Sequence, residues 1–108
     1  MTPVNDVLSR IQALAAADTV RITQHAHQEM LEENIRLDDM LHAIAKGRIL
    51  EDYPDHRRGA CRPLHGVDAD NRDIHVVCTT GLQTLIIVTV YLPKPPKWVT
   101  PTQRRTRP

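Results

Sequence analysis

With 108 residues, no Phe, two Tyr and one Trp, this chain must close its core from Ile, Leu, Val, Ala and three Met, which suffices for one domain and not for two. The formal net charge of +1 conceals a polarised molecule: residues 74–108 hold five bases and no acid, whereas residues 1–73 hold nine bases against thirteen acids, a balance of −4. One-sided positive charge is the electrostatic footprint of a polyanionic partner, although a solvated basic tail has the same composition. No apolar run approaches the roughly 18–20 residues that span a bilayer. Met1-Thr2-Pro3 lacks the basic start of a signal peptide. The expectation is therefore a cytoplasmic protein with no membrane association, whose Cys61 and Cys78 are reduced, buried small residues.

Thr2 and Pro3 suit an N-cap and first helical position, and Val4, Val7, Leu8, Ile11 and Leu14 recur at helical spacing up to Ala15-Ala16-Ala17. Val20 to Thr23 alternates like a short strand, after which Thr23 caps a predicted helix across Gln24 to Asn34 that buries Ala26 and Met30. Leu37, Met40, Leu41 and Ile44 form an i, i+3, i+4, i+7 stripe, closed by Lys46 and by Gly47 as a left-handed terminator. From Arg48 the period becomes strand-like. Ile49–Tyr53, Cys61–Asp68, Ile74–Thr80 and Thr84–Leu92 are strand candidates separated by short polar turns.

Short connections predict an antiparallel meander, and helices followed by strands predict an α+β fold with N-terminal helices covering one face of a three- to four-stranded antiparallel sheet. Leu37, Met40, Leu41, Ile44, Val76, Ile86 and Val88 should share one core. Unbroken apolar character over Leu85–Val88 points to an internal strand. Residues 1–92 then form a single domain, with 1–18 an added helix. Residues 93–108 form a Pro-rich basic tail, expected to run extended with Trp98 as anchor.

Six histidines raise the question of a metal. His25 and His27 lie two apart, which on a helix separates the rings by about 200°, and His42 and His56 fall on polar surroundings; no metal or other cofactor is expected. His25 and His75 are better read as acid–base candidates. A ring in a first helical turn sits at the positive end of the helix dipole, and one in mid-strand stands at a sheet face. An odd-numbered turn around Gly81 would put His75 on the face of Thr89 and Tyr91, an even one on that of Val88 and Val90.

Thr23-x-His25-Ala26-x-x-x-Met30-x-Glu32, Glu51-Asp52-Tyr53-Pro54, Asp73-Ile74-His75-Val76-Val77 and Ile87-Val88-Thr89-Val90-Tyr91-x-Pro93, with Trp98 and Arg104-Arg105, resemble a family of small prokaryotic domains of unknown function. The likeness runs over residues 20–105. Members are compared with RelE-like and MqsR-like toxins, so the resemblance implies a RelE-like fold and a metal-independent ribonuclease of a toxin–antitoxin pair. Glu29 stands where the family usually has Arg before the Met, which removes a cation from the helix. On this reading His25, His75 and Tyr91 are catalytic and gather on an exposed patch with an arginine. Arg62, Thr89, Trp98, Arg104 and Arg105 bind substrate, and the partners are RNA and an antitoxin protein. Two alternatives stay open: RNA binding without cleavage, with Tyr91 or Trp98 stacking on bases, and a protein-interaction module.

Overall fold

The computed structural model describes residues 3–50, 61–80, 83–93, 98–100 and 103–104, with the backbone alone for 3–6, 98–100 and 103–104. Helix α1 (Pro3–Ala16) leads into strand β1 (Val20–Ile22), helix α2 (Gln24–Glu32) and helix α3 (Leu37–Ala45). Strands β2 (Arg48–Ile49), β3 (Cys61–Val67), β4 (Asp73–Thr79) and β5 (Leu85–Tyr91) follow, and then a separate antiparallel pair, β6 (Trp98–Thr100) and β7 (Gln103–Arg104).

Local chemistry explains the boundaries of the helices. The Thr23 hydroxyl accepts from the Ala26 amide at 3.1 Å, satisfying one of the orphan donors that open α2. Asp18 and Asn34 take left-handed φ angles of 59° and 55° behind α1 and α2, a conformation Asn and Asp tolerate. Gly47 was the predicted left-handed terminator of α3, but its role is different. A Cβ there would lie 2.7 Å from the Ala43 carbonyl oxygen and 3.2 Å from that of His65, so a bare backbone is needed where α3 meets the sheet.

The fold is α+β, but the sheet is five-stranded and mixed, not three- or four-stranded and antiparallel. Its order is β1-β5-β4-β3-β2, with β1 parallel to β5. The meander β2-β3-β4-β5 was visible in the short turns. The added edge was not, because β1 is three residues long and pairs with a strand more than sixty positions away. All three helices contribute to one core on one face of the sheet. Ile11 and Ala15 of α1, Ala26 and Met30 of α2, and Met40, Ala43 and Ile44 of α3 pack with Leu64, Ile74, Val76, Cys78, Leu85, Ile87 and Val90. Two expectations for the core need correction. Leu37 is 47% exposed, and Ile86 and Val88 are half-buried, so β5 supplies Leu85, Ile87 and Val90 instead.

The β4–β5 register explains that change. Thr79 pairs with Ile86 and Cys78 with Ile87, but Val77 pairs with Thr89 and His75 with Tyr91, so the ladder slips by one residue at Val88. Six residues separate Thr79 from Ile86, an even number. The turn alone would have put His75 opposite Val90; the β-bulge puts it opposite Tyr91. In the tail, pairing resumes after the prolines: Trp98 pairs with Arg104 and Thr100 with Gln103. The expectation of an extended tail is corrected to that extent.

Candidate functional site

Residues paired across neighbouring strands point to the same face, and alternate residues point to opposite faces. Arg48 pairs with His65, His65 with His75 and His75 with Tyr91, which makes one row across β2, β3, β4 and β5. The core takes Leu64, Val76 and Val90, the neighbours of this row, so the row lies on the face turned away from the helices. The ring of His65 meets that of His75 edge-on at 5.7 Å, and His75 meets Tyr91 at 5.3 Å. His75 Nδ1 lies 3.3 Å from the Tyr91 hydroxyl. At the other end His65 Nε2–H donates to Asp73 Oδ1 at 2.8 Å, which fixes the orientation of the ring.

A second group forms where α2 meets β5. Glu29 Oε1 accepts from the Thr89 hydroxyl and, at 3.0 Å, from the Val90 amide; His25 Nε2 approaches the same oxygen at 3.4 Å. Beyond β1, the edge of β5 would present open peptide groups. α2 covers it: the Thr23 amide and hydroxyl donate to the carbonyls of Ile87 and Val88, and Glu29 takes the Val90 amide. The carboxylate read from sequence as a lost cation is thus what fastens the helix to the sheet.

His25 and His75 therefore belong to separate groups, His25–Glu29–Thr89 and Asp73–His65–His75–Tyr91, the latter joined between His65 and His75 by ring contact, and the two groups meet on β5 where Thr89 and Tyr91 stand two residues apart on one face. His25 is 70% exposed on its side chain. His75 has 0% exposure, which corrects the expectation of an exposed catalytic ring. Arg62 pairs with Cys78, a core residue, so the register sends it to the helix side, away from His75. Arg105 and the side chains of Trp98 and Arg104 lie outside the described residues, as do His56 and the Glu51–Pro54 turn. Sequence reasoning left His65 without a partner and missed Arg48 and Asp73. The signal was the five-residue connection 68–72, with Asn71 at φ 65°, which sets His65 opposite His75 once β3 and β4 are paired.

That connection is itself a built structure. Asp68, buried at the end of β3, accepts from the Asp70 and Arg72 amides at 2.9 and 2.8 Å and from Arg72 Nε at 2.6 Å. Arg72 reaches on to the Asn34 carbonyl at 3.2 Å and to Asp39 Oδ2 at 3.4 Å, which ties the turn to the α2–α3 link. Burial works to raise the Asp68 carboxyl, but the Arg72 guanidinium and the two amides together hold it below its ordinary value of 3.8. The same contact raises the Arg72 guanidinium. Burial, with Cys61 nearby, pushes the Cys78 thiol up to about 12, so it is a packing group and not a nucleophile. Among the described residues no three His, Cys, Asp or Glu side chains converge as a metal site, and no helix is long and apolar enough to cross a membrane.

Residues 22–92, which hold both groups, match the model of a family described as Domain of unknown function (DUF4258). The chain belongs to that family. No curated protein and no solved structure matches it. The match to DUF4258 begins at the end of β1 and stops after β5, so α1, Trp98, Arg104 and Arg105 lie beyond it.

Proposed function

We propose that the outer face of the sheet is an acid–base site for RNA, and that the protein is a metal-independent ribonuclease of the RelE-like and MqsR-like toxin type, held in check by an antitoxin protein. The observation that carries this reading is the in-register row Arg48–His65–His75–Tyr91 with Asp73 behind His65. Cleavage needs a base to take the 2′-hydroxyl proton as that oxygen attacks phosphorus. It also needs an acid to protonate the departing 5′-oxygen, which leaves a 2′,3′-cyclic phosphate, and a cation for the charge on the phosphorane. His65 oriented by Asp73, or His25 beside Glu29, serves as base. Tyr91 serves as acid, and Arg48, with Arg104 and Arg105 of the tail, holds the phosphate while Trp98 stacks on a base. The buried His75 is a positioning residue that aims the Tyr91 hydroxyl.

The test is cleavage of labelled single-stranded RNA by the purified full chain in EDTA. Tyr91→Phe should lower the cleavage rate by about 100-fold, the lower end of what general acid catalysis contributes, with RNA affinity unchanged. A folded wild-type chain that leaves the RNA intact would end the enzymatic reading. The full burial of His75 favours a second reading in that event, in which the accessible members of the row, Arg48, His65 and Tyr91, bind RNA without chemistry.

A further inference from the structure

The two exposed large hydrophobic residues among those described, Leu31 at 65% and Leu37 at 47%, stand on one groove. Ile22, Met30 and Ile35 complete its apolar wall, Arg36 stands at its rim, and its volume is about 420 Å³. No acid lines it. The groove ends at Ile22, the last residue of β1, and β1 is an edge strand of the sheet. The Thr19 carbonyl accepts from the Leu85 amide, and the Thr23 amide donates to the Ile87 carbonyl. By the two-residue period, Thr19, Arg21 and Thr23 turn their peptide groups to β5, while Val20 and Ile22 turn theirs outward. The side chains divide the other way. Val20 and Ile22 pair with the core residues Leu85 and Ile87, whereas exposed Arg21 pairs with Ile86 on the outer face.

We infer that this edge and groove form a docking site for an extended peptide of a partner protein in which apolar and acidic residues alternate. Such a strand adds to β1 through the peptide groups of Val20 and Ile22. Its apolar side chains fall on the helix side against Ile22, Leu31 and Leu37, and its acidic ones on the other side against Arg21, whereas Arg36 at the rim is already paired with Asp39 at 3.8 Å. Charge selects this occupant over a second copy of the chain. Antiparallel pairing of two β1 strands about their midpoint would set Arg21 directly against Arg21, and like charges opposite one another in a ladder repel. The inference is independent of any chemistry on the opposite face.

The experiment uses the full-length chain and a short fluorescein-labelled peptide of alternating leucine and glutamate, followed by anisotropy. Binding should be saturable. It should fall about tenfold or more, equivalent to about 1.4 kcal/mol, when lysine replaces glutamate in the peptide or when alternate peptide amides are N-methylated. Leu31→Glu with Leu37→Glu should abolish binding, and because both side chains are exposed the fold should persist, as circular dichroism will show. Equal binding by the N-methylated peptide or by the double variant would overturn the proposal. So would displacement of the peptide by single-stranded RNA, or a dimer of the free chain that Leu31→Glu dissociates, which would give the groove to a second copy.

Discussion

Gly66 is where α3 lies directly on the sheet: a Cβ there would come within 2.0 Å of the Ala43 carbonyl oxygen and 2.6 Å of its carbon. Backbone cannot rotate aside as a side chain can. Gly66→Ala should therefore lift α3 and destabilise the protein by about 3 kcal/mol, the upper range for overpacking, read from the midpoint of urea unfolding. Glu29 presents the opposite case, a side chain defined by what it accepts. Glu29→Ala leaves the Val90 amide and the Thr89 hydroxyl without their acceptor and should cost about 2 kcal/mol, with faster hydrogen exchange at Val90. Glu29→Gln retains an acceptor oxygen and should cost less than half as much. If the two variants unfold together, the contact contributes only charge.

Between elements, the Asp68–Arg72 contact joins the β3–β4 turn to the α2–α3 link. Removing one partner of a buried pair strands the other, so Arg72→Ala should destabilise by about 3 kcal/mol near neutrality, and Asp68→Asn with Arg72→Ala by less than the sum of the single changes. The pH dependence follows from the direction of the Asp68 shift. Its carboxyl titrates lower in the folded protein than the ordinary 3.8, so the stability it contributes is complete above that value and is lost as pH falls through the folded one. Acid unfolding of Asp68→Asn, compared with wild type over that window, should lack this component. The turn also marks the limit of what the sequence discloses. Thr23, the α3 stripe and the strand runs are short-range signals, and the helices, the strand core and the α+β class could be read from them. The parallel β1–β5 pairing, the row joining Arg48 to Tyr91 and the α2 seal on β5 join residues far apart in sequence, and no local period encodes them. Leu37 shows the converse: it fits the helical stripe, yet it faces solvent at the rim of a groove.

For the molecule as a whole, the family match leaves out α1, whereas the core does not. Ile11 is fully buried, and the Gln12 side chain donates to the Ile44 and Ala45 carbonyls at 3.2 Å each, closing the end of α3. Ile11→Ala should cost about 3 kcal/mol by thermal or urea unfolding. A loss below about 0.5 kcal/mol, typical of surface positions, would mean that α1 is an appendage. The charge asymmetry acts at the same scale. If single-stranded RNA meets the basic third of the chain, the logarithm of its affinity should fall linearly with that of salt concentration, and neutralising Arg104 and Arg105 should flatten the slope by about 1.4 units.

The slip at Val88 gives the hairpin a spare link. With Val88 deleted, Ile86, Thr89 and Tyr91 would still face outward and Leu85, Ile87 and Val90 inward; Ile86, Ile87, Thr89, Val90 and Tyr91 would keep their present partners on β4, and the Thr23 hydroxyl would lose its acceptor carbonyl. Without Val90, by contrast, Thr89 or Tyr91 would have to enter the core. A chain lacking residue 88 should fold with the His75–Tyr91 pairing intact, visible as retained cross-strand NMR contacts, while one lacking residue 90 should not. Selection can thus shorten this sheet by one residue at a single point and leave the His75–Tyr91 pairing in place.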